Sequence, residues 1–236
     1  MSKVQRAIIM AAGKGKRMLP ITLNTPKPLV KVNGIRMIDT VIKGLHNNGI
    51  FEIYVVAGYL KEQFYSLEKE YPGVTIIENP MFDTCNNISS LYMARDYISN
   101  AIILDGDQLI YNDKILSPEF EKSGYNAIWV DHYTDEWLMQ VENGRVVSCS
   151  RNGGVCGWQL FSISRWTEED GKKLKQHLEV DFNKNHYDQL YWDDVVMFNH
   201  FQDFDLGIKE MKFGDIIEID NLSDLISIDD SYKKYK

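Results

Sequence analysis

Through its first half the chain alternates short apolar, β-branched runs with stretches of helical periodicity, and few folds accommodate that order. Residues 7–11 read as a strand; Met37, Ile38, Val41, Ile42 and Leu45 then recur at helical spacing until Asn48-Gly49 stops them. Residues 53–56 form the next predicted strand, Leu60, Phe64 and Leu67 mark a helix, 74–77 a strand, 91–98 a helix and 101–104 another strand. Such βαβα alternation predicts an α/β fold with a mixed, mostly parallel sheet and helices on both faces.

After Asp107 the pattern changes. Segments at 127–131, 137–141, 146–150 and 157–163 have the look of antiparallel strands, with Asn143-Gly144 as a hairpin turn. A helix near 168–178, another near 189–198, a strand at 216–219 and a terminal helix from about 223 complete the reading. No linker rich in Pro, Gly or Ser and no internal repeat interrupts it, so residues 1–236 are read as a single domain, with about 126–200 as a small antiparallel insertion on the sheet.

A chain of 236 residues can bury a core, and a 44% hydrophobic, 25% charged composition excludes disorder or a fibrous repeat. A net charge of −8 without a basic run argues against nucleic acid as a partner. No segment approaches the roughly 20 apolar residues of a membrane span. The apolar run at 7–12 is too short for a signal-peptide core, so a cytoplasmic protein without a membrane partner is expected. Cys85, Cys149 and Cys156 are odd in number and lack CxxC spacing, which argues against a disulfide framework or a zinc site. His46, His132, His177, His186 and His200 are scattered, with no metal-ligand cluster. An acidic protein that binds an anion needs a local cationic pocket, with a metal ion to help.

The first thirty residues supply the beginnings of one. The first strand runs into Ala11-Ala12-Gly13-Lys14-Gly15-Lys16-Arg17, where glycines let the backbone turn tightly and bring N–H groups to phosphate oxygens. A dinucleotide fold would carry a third glycine where Met18 stands, and no GKS or GKT completes a P-loop. The stretch continues through Pro20, Thr22 and Pro26-Lys27-Pro28-Leu29, giving GxGxR, PxT and PKPL in unbroken succession. With this combination the chain resembles the nucleotidyltransferase superfamily that includes sugar-1-phosphate nucleotidyltransferases and bacterial phosphocholine cytidylyltransferases. The resemblance implies a Rossmann-like, GT-A-like three-layer sandwich, with Ala11, Ala12, Gly13, Gly15 and Lys16 around the nucleotide.

Arg17 can fork onto phosphate oxygens and Lys27 can place a point charge on the α-phosphate, which makes these two the candidate catalytic cations. Asp105-Gly106-Asp107 lies at the carboxyl end of a strand, where open α/β sheets bind ligands; Gly106 is expected to leave room for a nucleotide, and the paired carboxylates suit Mg²⁺. By resemblance Asp107 is a metal ligand, Asp105 lies nearer the ribose, and Asp220, after the 216–219 strand, is the second metal-binding aspartate; read without it, Asp220 is a helix N-cap. Asn86-Asn87-Ile88-Ser89-Ser90-Leu91 either caps a helix or reads a base edge. It resembles the NNxxSL run that these cytidylyltransferases use around the pyrimidine, which implies CTP, with Asn87 and Ser90 as contacts.

For the acceptor, Asp188-Gln189-Leu190-Tyr191-Trp192-Asp193-Asp194 and Asp135-Glu136-Trp137 combine aromatic faces with carboxylates, which is how quaternary ammonium groups are held. The same residues read equally as core aromatics beside a solvated acidic face. By resemblance they are choline-pocket segments, with Trp137, Asp188, Tyr191, Trp192 and Asp193 as acceptor contacts. One departure from the family is Arg36, where relatives carry proline, which bears on the turn before the first long helix. The implied reaction is Mg²⁺-dependent conversion of CTP and phosphocholine to CDP-choline and pyrophosphate. The alternatives are 2-aminoethylphosphonate or phosphoethanolamine as acceptor, a sugar 1-phosphate as acceptor, and a nucleotide-sensing module without turnover.

Overall fold

Four parallel strands with apolar residues on both faces organise the molecule. The computed structural model describes residues 1–184 and 186–235. Strands β1 (Arg6–Ala11), β2 (Glu52–Ala57), β3 (Val74–Glu78) and β4 (Ala101–Asp105) pair in the order β4-β1-β2-β3, with Ile8 opposite Tyr54 on one side and Ile103 on the other. Ala7, Ile9, Val55 and Leu104 face helix α1 (Met37–Asn47) and pack on its Ile38, Val41 and Leu45. Ile8, Met10, Val56 and Ile103 face the opposite way, toward Leu91 of helix α2 (Ile88–Met93) and Leu174 and Leu178 of helix α3 (Glu168–Glu179). Strands buried on both faces need apolar residues at every position, which is why they read as unbroken runs and not as alternations.

Beyond β4 the chain forms β5 (Gln108–Ile110), β6 (Gly124–Val130), β7 (Leu138–Glu142), β8 (Arg145–Ser150) and β9 (Gly157–Arg165), then β10 (Gly207–Glu210) and β11 (Ile216–Glu218). The β7-β8 hairpin turns at Asn143 and Gly144, whose φ values of 50° and 74° match the expected Asn-Gly turn. Strand β9 runs antiparallel to β4 at its carboxyl end and to β7 at its start, and pairs with β6 along its other edge. It is the seam between the parallel and antiparallel parts. Helix α4 (Leu222–Ile228) closes a third apolar cluster of Met18, Val30, Leu109 and Ile219.

Three expected helices are shorter or differently wound. Leu60 takes a left-handed φ of 49°, and the segment after it makes a 3₁₀ turn (Lys61–Phe64) and one α-turn (Leu67–Glu70). The 91–98 helix is α2 followed by a 3₁₀ turn at Arg95–Tyr97, and the 189–198 helix is one α-turn (Trp192–Asp194) running into a π-turn (Val195–Asn199). In each the apolar residues pack on the sheet, and tertiary contact fixes the winding. Strands β5 and β10 carry no legible periodicity because each is too short to show one. Arg36 precedes α1 with φ −64°, a value proline also adopts, and its guanidinium pairs with Asp39 and Glu70, so the turn keeps its course. Among the described residues no helix is long and apolar enough to cross a membrane.

Gly124 opens the parallel pairing of β6 with β10. Its φ is 154°, and a Cβ there would stand 1.9 Å from the Gly207 carbonyl oxygen. Gly124→Ala must therefore part the two strands, and urea unfolding followed by circular dichroism is expected to show a loss of about 2 kcal/mol or more.

Candidate active site

The cleft is built where β1 and β4 end. Gly15 has φ +60°, and a Cβ there would lie 3.0 Å from both Lys27 Cβ and Thr22 Cγ2, so conformation and space each require glycine. The Thr22 hydroxyl donates to the Gly15 carbonyl at 2.9 Å, and a 3₁₀ turn at Lys27–Leu29 begins directly after Pro26. The PxT and PKPL segments thereby press the Lys27 stem against the glycine loop and send its ammonium to the sheet edge.

Asp105 ends β4 in register with Met10, and the Gly106 N–H donates to the Met10 carbonyl at 3.0 Å. A Cβ on Gly106 would meet Ile9 Cγ2 at 3.1 Å and Pro28 Cβ at 3.3 Å. The small residue thus admits Pro28 against the sheet, a different purpose from the nucleotide clearance expected of it. Strand β11 pairs antiparallel with β5, Glu218 opposite Gln108, and this carries Asp220 back to Asp107. Asp220 is not the cap of α4: Asn221 caps it, and Asp224 Oδ2 accepts from the backbone N–H groups of both Asp220 and Asn221.

Lys27 Nζ lies 2.6 Å from Asp107 Oδ2 and 3.3 Å from Asp220 Oδ1, with its side chain only 10% exposed. Arg17 reaches the same Asp220 oxygen at 2.9 Å. Burial opposes the Lys27 charge, but Asp107 and Asp220 outweigh it and hold the pKa above its ordinary value. Burial, then the Asp107 charge, raises Asp105 well above the carboxylate range and pushes Glu218 up to about 7. Asp107 and Asp220 offer oxygen donors at one point, beside two carboxyls, Asp105 and Glu218, that burial and the Asp107 charge keep from ionising readily. A hard divalent cation, held by one or two carboxylates and completed by phosphate oxygens, fits that donor set.

Two adjoining cavities share this floor. The first, about 450 Å³, is walled by the glycine loop from Ala11 to Arg17 and by Asn87, Ser90 and Asp105, above Lys27, Asp107 and Asp220. All twelve residues assigned from the sequence to the nucleotide, the metal or catalysis line it. Phe82 and Asp83 complete the wall, Asp83 paired with Lys14; neither belongs to a recognisable motif. The second cavity, about 370 Å³, shares the floor and adds Trp137, Tyr191 and Asp193, together with Glu136, Ser162 and Glu218. The last two were missed, since strand residues facing a cavity look like any others in sequence.

Two expected acceptor contacts lie elsewhere. Trp192 is 3% exposed, its ring 6.1 Å from those of Tyr125 and Trp166 in the core. Asp188 is off the cavity wall, and its backbone carbonyl accepts the Asn86 N–H at 2.7 Å. The Asn86-Asn87 pair also bonds the neighbouring chain: Asn86 Nδ2 donates to the Gln189 carbonyl at 3.1 Å, and Asn87 Oδ1 accepts the Trp192 N–H at 2.9 Å. Asn87 thus links the two cavities. Trp137 and Tyr191 meet edge to face at 6.3 Å and 89°. Asp194 is taken by Arg151 at 2.6 Å, which leaves Asp193 as the acid of the 188–194 segment on the wall. Burial pushes the Asp193 carboxyl up to about 7.

Comparison with known proteins bears on family and fold. Residues 6–122 match the family model described as nucleotidyl transferase. The chain is 38% identical to the 2-aminoethylphosphonate cytidylyltransferase of Lancefieldella rimae over 96% of its own length and 92% of the relative's. It is 30% identical to the choline-phosphate cytidylyltransferase of Streptococcus pneumoniae over 97% and 98%. The solved structure of CTP:phosphocholine cytidylyltransferase from Streptococcus pneumoniae superposes with a TM-score of 0.89 at 29% identity, covering 99% of this chain and all of that one. The inositol-1-phosphate CTP transferase of T. maritima, at TM-score 0.75 and 18% identity, shares the fold. On its sequence relatives, its sheet and its cleft, the chain belongs to the nucleotidyltransferase family, as an α/β enzyme of the Rossmann-like type.

Proposed function

We propose that the protein transfers a cytidylyl group from CTP to a small phosphonate or phosphate that carries an amine, with 2-aminoethylphosphonate the first candidate and phosphocholine the second. The observation that carries the choice is the make-up of the second cavity. Trp192 is withdrawn into the core, so the wall offers two aromatic faces, Trp137 and Tyr191, against the acids Glu136 and Asp193 and the Ser162 hydroxyl. A primary ammonium spends its N–H donors on such oxygens, whereas a trimethylammonium group donates none and gains most from a fuller aromatic cage. The 38% identity to a 2-aminoethylphosphonate cytidylyltransferase points the same way.

In this reading an acceptor P–O⁻ oxygen attacks the α-phosphorus of CTP, the bond from that phosphorus to the departing pyrophosphate breaks, and no proton has to be removed from the nucleophile. The work of the chain is alignment and charge neutralisation. The glycine loop holds the triphosphate through its N–H groups, Asn87 and Ser90 border the base, and Asp105 faces the ribose. Lys27 and Arg17 place positive charge on the α-phosphate as negative charge gathers there. Asp107 and Asp220 would hold Mg²⁺, which would supply positive charge to offset that of the triphosphate. On the acceptor side Trp137, Tyr191 and Asp193 orient the amine.

The deciding experiment is the release of pyrophosphate from each of the four nucleoside triphosphates with 2-aminoethylphosphonate, phosphoethanolamine, phosphocholine and a sugar 1-phosphate. CTP with 2-aminoethylphosphonate is expected to give the highest kcat/KM. A preference for phosphocholine would overturn the acceptor assignment and leave cytidylyl transfer standing. Absence of turnover with every pair would favour the nucleotide-sensing module.

Two further outcomes follow from the geometry. Lys27→Ala is expected to lower kcat on the order of 10²-fold or more while CTP binding weakens far less, as steady-state kinetics beside calorimetry will show; an effect confined to binding would make Lys27 a ground-state contact only. Asp193 is neutral below its raised pKa of about 7 and anionic above it, and the anion is the form that binds an ammonium. The kcat/KM for the acceptor should therefore rise roughly tenfold from pH 6 to pH 8 beyond the change seen in Asp193→Asn, whose profile keeps the ionisations of the acceptor and of Glu218. Parallel profiles for the two proteins would remove Asp193 from the amine site.

A further inference from the structure

The histidines are dispersed in sequence, yet folding brings two of them together outside the cleft, contrary to the expectation of scattered residues. His177 lies on the last turn of α3, and His200 follows the π-turn at Val195–Asn199. Their rings stack with centroids 3.9 Å apart and planes 16° from parallel. Asp203 completes the group: its Oδ2 is 3.0 Å from His177 Nε2 and 4.0 Å from His200 Nδ1. One ligand atom from each of the three lies within 4.8 Å of the other two.

The second nitrogen of His200 is also accounted for. Its Nε2 lies 3.2 Å from Oδ1 of Asp181, a residue 1% exposed whose Oδ2 accepts from Asn199 Nδ2 at 2.9 Å. A carboxylate that takes the N–H of one imidazole nitrogen fixes the tautomer and turns the lone pair of the other outward, the arrangement that surrounds histidines bound to metal. For His200 that lone pair is on Nδ1, facing Asp203.

We propose that His177 Nε2, His200 Nδ1 and Asp203 Oδ2 form a three-ligand site for a divalent transition-metal ion, Zn²⁺ foremost, with Asp181 orienting His200 and water as the fourth ligand. Two imidazoles and one carboxylate are a donor set that tetrahedral Zn²⁺ accepts, with bonds near 2.0–2.2 Å and ligand–ligand edges of roughly 3.3 Å. The 3.0 Å edge is already that short and the 4.0 Å edge closes by less than 1 Å, while the two rings slide out of their stack until the centroids stand about 5 Å apart and both planes contain the ion. Imidazole ligands favour zinc and its neighbours over Mg²⁺, so this site and the all-carboxylate pair in the cleft select different ions. Binding requires the His177 proton to reside on Nδ1, so that Nε2 presents its lone pair to the ion.

The site clips the base of a long excursion. His177 stands at its entry, His200 and Asp203 at its exit, and between them the chain carries Tyr191 and Asp193, both on the second cavity. Closing such a loop at its base removes conformational freedom from the segment it encloses. Occupancy of the clip thereby holds in place the wall that the proposed function assigns to the acceptor; metal binding itself does not depend on that assignment.

The test uses the full chain with Asp107→Asn and Asp220→Asn, so that the cleft carboxylates do not compete, dialysed against Zn²⁺ in excess Mg²⁺. Elemental analysis is expected to find one equivalent of zinc, and a further His177→Gln or Asp203→Asn change to abolish it while circular dichroism stays native. At free Zn²⁺ a hundredfold above Kd, Tm should rise by about 5–10 °C. Co²⁺ in place of Zn²⁺ on the chain with its histidines intact should give the visible absorption of a four-coordinate imidazole site, a readout that needs no histidine variant to fold. Zinc below about a tenth of an equivalent, a Co²⁺ spectrum without that band, or full zinc binding in the His177→Gln chain would each overturn the proposal.

Discussion

The cleft depends on one nearly buried ammonium group. Lys27 sits between Asp107 and Asp220 at 2.6 and 3.3 Å, and each partner would be costly without the others. Removing the cation leaves two carboxylates facing each other beside Glu218, whose own ionisation is already held back to about pH 7. Removing the carboxylates leaves a desolvated cation, which is among the more expensive things a protein interior can hold. The triad also joins three distant pieces of chain: the PKPL turn, the end of β4 and the end of β11. The same charges that fasten these pieces together present a cationic and metal-competent floor to a triphosphate.

Sheet architecture supplies the rest of the site. Parallel strands end together, so the loops after β1 and β4 open on one edge, where the backbone N–H groups of the glycine loop lie beside the carboxylates. Strand β9 then runs antiparallel to β4 and brings Ser162 to the same edge, with Glu136 and Trp137 beside it at the start of β7. The result is two cavities sharing a floor, a layout in which two phosphorus groups can be held with their reacting oxygen and phosphorus adjacent. Asn87 borders both and grips the Trp192 backbone, so the two cavities are mechanically linked through one amide.

The excursion from α3 to β10 has a different character from the sheet. Its single α-turn, π-turns and 3₁₀ turn at Phe201–Asp203 are held by side chains: Trp192 in the core, Asp194 on Arg151, Asp181 between Asn199 and His200. Segments held this way exchange more readily than strands. A wall that must admit one small substrate and release a larger product benefits from that latitude, and an additional tie at its base would limit it.

The sequence by itself determined the four parallel strands and helices α1 and α3 against them, because a strand covered on both faces is apolar nearly throughout and a helix buried on one face must be apolar every third or fourth. It also determined the floor of the cleft. Gly15, Lys27 and Asp107 are constrained by backbone conformation, close approach and charge, requirements that few residue types meet and that therefore leave motifs, whereas Asp220 is assigned by family resemblance and read otherwise as a helix N-cap. Only the tertiary structure decided which aromatics and acids line the second cavity. Trp192 and Tyr191 are adjacent, yet one is buried with Tyr125 and Trp166 and the other faces the cavity; Asp193 lines the wall while Asp188 lies off it and Asp194 pairs with Arg151. Those outcomes turn on the phase of a short, irregular winding that packing sets and local sequence does not encode. The meeting of His177 with His200 is of the same kind, a contact between residues that acquire a common neighbourhood only after the chain has folded back on itself.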